Sequence, residues 1–491
     1  MATARSRSLG PVLLAFLTAV ALGVSPPLYR LEKLIAEVAL LAGEGWIMSG
    51  TGQPDPTVGP YISQVEALYL RPDSPLFPGQ QTFPGYTFAG LTTPEQFCPF
   101  VCLPPPNPQL NFGASLTQGV ADLNKAIVPQ LQAGDNVAVL GYSQSATIAT
   151  LEMQNLLSKP PAGVNLADLH TVLLGDPNNP IGGMLDRLQF PEGQHVPFVN
   201  IPLSIPPTPT EGIPTDIYTG EYDGWANFPQ DQTNILAVIN ALIGIVTVHG
   251  FYPAYTPDQV ASAIDIGSIG DASFYMIPQN LPILQFMYNG GTAGQFFGDL
   301  FSPWLRLVID WAYGNAGDPA VDGLHPIPGG TFIEGSAYQQ AFGVAGGPWA
   351  ATPFGDLYQG SAFTSAADSG VAGFFEKMDP LQMLAGVQNA AIQSLVGPWA
   401  DVAAVASGGT LTAGDISTID GITSFLQVVT GYDLVNSIDQ ALLTGWNDLA
   451  NLVGLDDVIG PAAVLDGPLI SGQPVIDLVG LGFSLFNVFG A

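Results

Sequence analysis

Residues 136–149 read NVAVLGYSQSATIA, and no other stretch limits the fold so narrowly. Val137 to Leu140 have the β-branched, apolar character of a fully buried strand, whereas Ser145 to Leu157 hold good helix formers and neither Gly nor Pro. Between them the chain must turn at Ser143. A strand that turns sharply into a helix at a serine, with small residues two positions before and after it, is the nucleophile-elbow pattern; the serine there is held in a strained backbone conformation. Gly141 and Ser145 occupy the flanking positions, Ser145 in place of the usual glycine. A chain with 58 glycines also places Gly-x-Ser-x-Ser in ordinary loops, so the flanking strand and helix carry the argument.

A serine hydroxyl is a weak nucleophile at neutral pH and needs a base and an orienting acid. The order expected after such an elbow is serine, then Asp or Glu, then His. Of the 4 histidines, His170 precedes a strand and His195 comes ahead of the best acid. His249 ends the apolar run NALIGIVTVHGFY, and Gly250 lets the chain turn there; it is the expected base, with His325 in GLHPIPGG as the alternative. Asp223, in the turn EYDGW after TDIYTG, is the expected acid, with Asp176 in LGDPN and then Asp216 as alternatives. An acyl-transfer site also needs donors for an oxyanion. Gln144 follows the serine, and the loop Gly50, Thr51, Gly52 follows GWIM, so Gln144 with Thr51 or Gly52 are the expected donors.

Only 10 Lys+Arg stand against 41 Asp+Glu, a formal net charge of -31, which excludes nucleic acid as a partner. The 47% hydrophobic content is ample for a buried core. At the start, Arg5 and Arg7 precede an apolar stretch from Leu9 to Val24, so residues 1–24 read as a signal peptide or an uncleaved anchor, and the body as exported. Cys98 and Cys102, the only cysteines, are then expected to form a disulfide around a small loop. Neither a metal nor a cofactor is called for.

Strands alternate with helices over residues 45–320, which predicts an α/β domain built on a mostly parallel sheet. Leu31 to Leu41 reads as a short helix and GWIM as a buried strand; Pro60 to Leu70 and the stripe Leu116, Val120, Leu123, Ile127, Leu131 read as helices, the latter interrupted by Pro129. Residues 72–108 read as a Pro/Gly-rich loop region. Residues 170–177 and 215–223 read as strands and 234–246 as an apolar helix. From 321 to 491 the texture changes to short Gly/Ala segments, expected to form a helical or irregular extension of unknown role.

GTGQP, GYSQS, LLGDPNNPIGG, EYDGWANFP, VTVHGFYP and FYMIPQNLPILQF fall in an order that resembles the PE-PPE domain of mycobacterial and related actinobacterial proteins, itself similar to cutinases and serine esterases. The resemblance covers roughly residues 45 to 320. It implies a cutinase-like α/β-hydrolase fold, a triad carried onto Ser143, Asp223 and His249, and action on acyl esters. Members include esterases and acyltransferases of envelope glycolipids. This chain reads as departing from them by having a leader where a PE or PPE module would stand. The expected function is an exported serine esterase acting on an acyl ester or lipid, in the cell envelope or secreted. Two alternatives are an acyltransferase using the same residues and a non-catalytic scaffold on a hydrolase fold.

Overall fold

The computed structural model of the chain describes residues 43–313, apart from 72, 188–194, 197–200, 203–204 and 230–233, and residues 380–430, apart from 409–412. The expected leader, the helix at 31–41, His325 and most of the 321–491 extension lie outside the described residues.

Seven strands form one sheet in the order β2-β1-β3-β4-β7-β9-β8. These are β1 (Gly43–Ile47), β2 (Thr87–Gly90), β3 (Asn136–Tyr142), β4 (Leu169–Leu174), β7 (Thr215–Gly220), β8 (Ile264–Ile269) and β9 (Ala272–Ile277); β5 (His195–Val196) and β6 (Ile201–Pro202) make a separate antiparallel pair. All neighbours in the large sheet run parallel except β8, which returns antiparallel to β9. The fold is therefore α/β with a mostly parallel sheet, as the alternation of patterns predicts. The long strands are buried on both faces, as helix-covered parallel sheets require. Along β3, Val137 and Val139 face one apolar cluster and Ala138 and Leu140 the other.

The first cluster is covered by α2 (Phe112–Ala133) and α3 (Gln144–Ser158). Asn111 starts α2 by accepting from the Ala114 N–H, and Leu116, Leu123, Ile127 and Leu131 form its buried stripe. Pro129 lies inside α2 without ending it; the helix stops four residues later at Ala133. The opposite face is covered by α1 (Tyr61–Val65), which continues as a wider turn to Leu70, and by a run of aromatics that includes Phe77, Phe83, Tyr218 and Tyr252. Residues 72–108 are thus more than loop: they supply β2 and part of this core. The strand escaped the sequence reading because TFAG, at the sheet edge, is half exposed and flanked by Gly and Pro, so it carries little apolar signal.

Toward the C-terminal side, α4 (Met184–Arg187) follows β4, and α5 (Ile235–Thr247), capped by Asn234, follows β7. Next come α6 (Pro257–Ala261), α7 (Gln285–Tyr288) and α8 (Gly291–Ile309). Beyond the gap, α9 (Pro380–Ala406) packs along α8, and α10 (Ala413–Thr430) packs on α9. Among the described residues no helix is long and apolar enough to cross a membrane.

Candidate active site

The carboxyl ends of β3, β4 and β7 open onto one edge of the sheet, and the chain breaks there into the turns that hold Ser143, Asp176 and Asp223. Ser143 sits between β3 and α3 with φ 57 and ψ -116, a conformation that costs a non-glycine residue of order 1–3 kcal/mol. Two local features hold it. Tyr142 donates its N–H to Ser145 Oγ at 2.8 Å, and Ser145 donates back to the Tyr142 carbonyl at 3.1 Å. A Cβ at Gly141 would stand 2.6 Å from the Ser145 carbonyl oxygen, so the strand approaches the helix more closely than any side chain permits. Ser145 is therefore a hydrogen-bonding closure of the turn as well as a small residue.

His249 follows α5 after a single residue, Val248, and its Nε2 lies 2.7 Å from Ser143 Oγ. Its Nδ1 lies 2.9 and 2.8 Å from the two oxygens of Asp223. Asp223 is fully buried and also accepts from the Tyr252 hydroxyl at 2.7 Å and the Trp225 N–H at 2.9 Å. Burial and the nearby Asp223 charge push the Tyr252 phenol well above its ordinary pKa, so it stays a donor to that carboxylate. The sequence brings helix and acid turn together with two glycines. A Cβ on Gly224 would lie 2.1 Å from the Ala241 carbonyl, and one on Gly244 1.9 Å from the Tyr222 carbonyl. Backbone therefore packs on backbone, and α5 delivers His249 onto Asp223.

The alternative acids are engaged elsewhere. Asp176 accepts from the Thr208 hydroxyl at 2.6 Å and the Asn178 N–H at 2.9 Å, and burial raises it to about 6. Asp216 pairs with His170 at 2.8 Å at the start of β7 and β4, the other end of the strands from Ser143. His195 lies on β5.

The loop after β1 lies against the serine, since a Cβ on Gly50 would stand 3.2 Å from Ser143 Cβ. One expectation fails here: Gly52 donates its N–H to the Glu95 carbonyl at 2.8 Å, so it is spent on the scaffold and not available to an oxyanion. Thr51, exposed in the same loop, and Gln144, in the first turn of α3 where backbone N–H groups have no intrahelical partner, remain as the candidate donors. The Gln144 side chain accepts from Ser115 Oγ at 2.9 Å and donates to the Gln96 carbonyl at 3.1 Å. Segment 95–102 thus ties the elbow to the loop after β1. The Cys98–Cys102 disulfide closes it, and Val101 inside that ring lies against Gly52.

Sequence reasoning did not find Glu95, Tyr252 or Arg306. Tyr252 stands three residues after His249 in the turn His249–Ala254, so its spacing was a usable signal; the other two depend on long-range packing. Glu95 is fully buried at φ 46, accepts from Thr93 Oγ1 at 2.7 Å, and leaves Oε2 without a hydrogen-bond partner. Burial raises its carboxyl from 4.5 to about 8. The folded chain therefore binds a proton that the unfolded chain has released, and this group's contribution to stability declines as pH rises from about 4.5 to about 8. Glu95→Gln is expected to melt progressively higher than the wild type as pH is raised across that window. A melting difference that stays constant with pH would remove Glu95 as the titrating group.

A seven-stranded, mostly parallel α/β sheet with a strained serine, a histidine and a buried carboxylate at one strand edge defines a class of α/β proteins built on an elbow. More particularly, the PE-PPE domain family model matches residues 84–314. It is 38% identical over 311 residues to Esterase PE16 of Mycobacterium tuberculosis, covering 62% of this chain and 54% of that one. Diacyltrehalose acyltransferase Chp2 of the same species is 29% identical over 294 residues, 55% of this chain and 79% of Chp2. A solved cutinase-like protein from Cryptococcus sp. aligns with 19% identity and a TM-score of 0.23, over 42% of this chain and 91% of its own. Several other relatives are themselves PE and PPE family proteins, and the chain spans about half the length of those curated relatives. The reading of this chain as set apart from the module-bearing proteins is thereby corrected, because its relatives are those proteins.

Proposed function

We propose that the chain is a serine ester hydrolase working through an acyl-enzyme, with Ser143 as nucleophile, His249 as base and Asp223 as orienting acid. The observation that carries this reading is the unbroken chain of contacts from Ser143 Oγ to His249 Nε2 and from Nδ1 to the buried Asp223. His249 takes the Ser143 proton as Oγ attacks the ester carbonyl, and the tetrahedral oxyanion is held by the N–H groups of Gln144 and Thr51. The imidazolium then protonates the leaving alcohol, leaving an acyl-serine. Water, deprotonated by the same imidazole, releases the acid and restores Ser143. Asp223 keeps Nδ1 protonated and stabilises the imidazolium throughout. The substrate class is an acyl ester or lipid, the unit doing this work is residues 45–320, and the place of action is the cell envelope or outside it.

Acyl transfer is the second reading, favoured by the similarity to a protein named as a diacyltrehalose acyltransferase. It differs only in the acceptor: a sugar or lipid hydroxyl replaces water at the second step.

A fluorophosphonate probe tests the shared first half. Wild-type protein is expected to label stoichiometrically, whereas Ser143→Ala abolishes labelling and His249→Ala reduces it by on the order of a thousandfold or more. Labelling that survives Ser143→Ala would place the nucleophile elsewhere. Adding trehalose or a glycolipid alcohol to an ester assay then separates the readings by whether free acid or a new ester accumulates.

A further inference from the structure

The helix that delivers His249 has a second face. Along α5, Ile235, Ile239, Leu242 and Val246 recur at spacings of four, three and four and all point outward; Val246 is 74% and Ile235 70% exposed. Phe251, two residues past His249 on the turn that follows α5, is also exposed. On α8 the same spacing repeats in Phe297, Phe301, Trp304 and Val308, again exposed. The two stripes meet at a corner where Asn234, the cap of α5, donates its side-chain N–H to the Val308 carbonyl at 2.7 Å. On α9, which packs along α8, Leu395, Trp399 and Val402 are exposed as well.

Exposed charge is absent from these three helices. The α5 sequence ILAVINALIGIVT has no ionisable side chain, and those of α8 and α9 are Asp299, Arg306 and Asp401, all buried. A chain with a formal net charge of -31 has thus kept three neighbouring helices free of exposed charge. A contiguous apolar surface of this kind marks an interaction site. Its occupant must be apolar and must not carry the negative charge that the rest of the molecule repels. A second copy, also at -31, fits poorly on that ground. No helix among the described residues can span a bilayer, so these helices would lie against a surface rather than cross it.

We infer that the outward faces of α5 and α8 dock the protein on an uncharged lipid surface, with the stripe beside His249 bringing the site to the plane of the lipid esters. The choice of occupant rests on the ester-hydrolase reading; binding itself needs no turnover. The mechanism is apolar burial without basic anchors, so attraction does not depend on anionic headgroups.

The test is co-flotation of the full chain with phosphatidylcholine vesicles, and with vesicles in which phosphatidylglycerol replaces part of the lipid. Wild type is expected to float with the neutral vesicles and progressively less with the anionic ones. Ile235→Ser/Val246→Ser and Phe297→Ser/Phe301→Ser should each reduce partitioning by on the order of tenfold, with melting temperature as the fold control. Ser143→Ala should float like wild type, which keeps this inference separate from the catalytic reading. No flotation of wild type on neutral vesicles, or undiminished flotation of both double variants, would overturn it. So would two other outcomes: slow maleimide labelling of Val246→Cys in the lipid-free chain, meaning that another part of the chain covers the stripe, or a concentration-dependent dimer abolished by the same serine substitutions.

Discussion

Asp223→Asn is expected to lower the ester turnover number by about 10⁴-fold while leaving the fold intact. The reason lies in which nitrogen of His249 carries the proton. With a carboxylate against Nδ1, that nitrogen must be the donor, and Nε2 faces Ser143 Oγ at 2.7 Å as an acceptor. An asparagine can present its NH₂ to Nδ1 instead, which moves the proton to Nε2 and leaves the serine without a base. Size and packing hardly change: with its oxygen in the Oδ1 position the amide still accepts from the Trp225 N–H, while its NH₂ takes the Oδ2 position and faces Nδ1 and the Tyr252 oxygen. Steady-state kinetics alongside thermal melting would check this. Activity above a tenth of wild type, in a variant that melts normally, would mean that Asp223 is not the orienting acid.

The second large effect is structural. Arg306 on α8 is 2% exposed, donates to Glu221 Oε1 at 2.9 Å and to the Tyr222 hydroxyl at 2.6 Å, and reaches the Gln279 carbonyl. Glu221 in turn accepts from the Gln279 N–H at 3.0 Å. These contacts clamp the turn that precedes Asp223, in which Tyr222 is held at φ 63. Arg306→Leu leaves a carboxylate buried without its counter-charge and is expected to destabilise the protein by about 3–5 kcal/mol. Turnover should fall further than stability alone explains, because the acid turn loses its clamp. Replacing Glu221 with Leu as well should recover part of the stability, since the orphaned charge is the costly element. Urea denaturation of the three proteins measures this; a single-variant cost below about 1 kcal/mol would show the pair to be well hydrated and not a clamp.

What could be read in the sequence, and what could not, divides along one physical line. Ser143 was legible because the elbow is local: a buried strand, a close-packing glycine and a helix stand within fifteen residues. Asp223 and His249 were legible as positions because strand and helix ends are punctuated by Gly224 and Gly250, and the structure sets His249 within hydrogen-bonding reach of Asp223 on one side and of Ser143 on the other. The role of Gly52 was misread because the direction of a backbone N–H depends on its partner, and Glu95 lies on a separate segment that no local pattern ties to the loop. Arg306 was missed for the same reason: a lone arginine in an apolar helix looks alike whether it snorkels to solvent or clamps a distant turn. The edge strands β2 and β8 had too little burial to show as apolar runs.

The distance along the chain between Ser143 and His249, 106 residues, also orders events in time. A nascent chain that has emerged as far as residue 240 already has the elbow strand, its neighbour β4 and the helix α3, but no base and an unfinished clamp around the acid. Arg306 arrives later still. Domains fold as units during synthesis, and contacts of high sequence separation close last. On the proposed reading, the serine therefore stays without its base through most of the protein's production, and the site is complete only when α5 and α8 have settled onto the turn that holds Asp223.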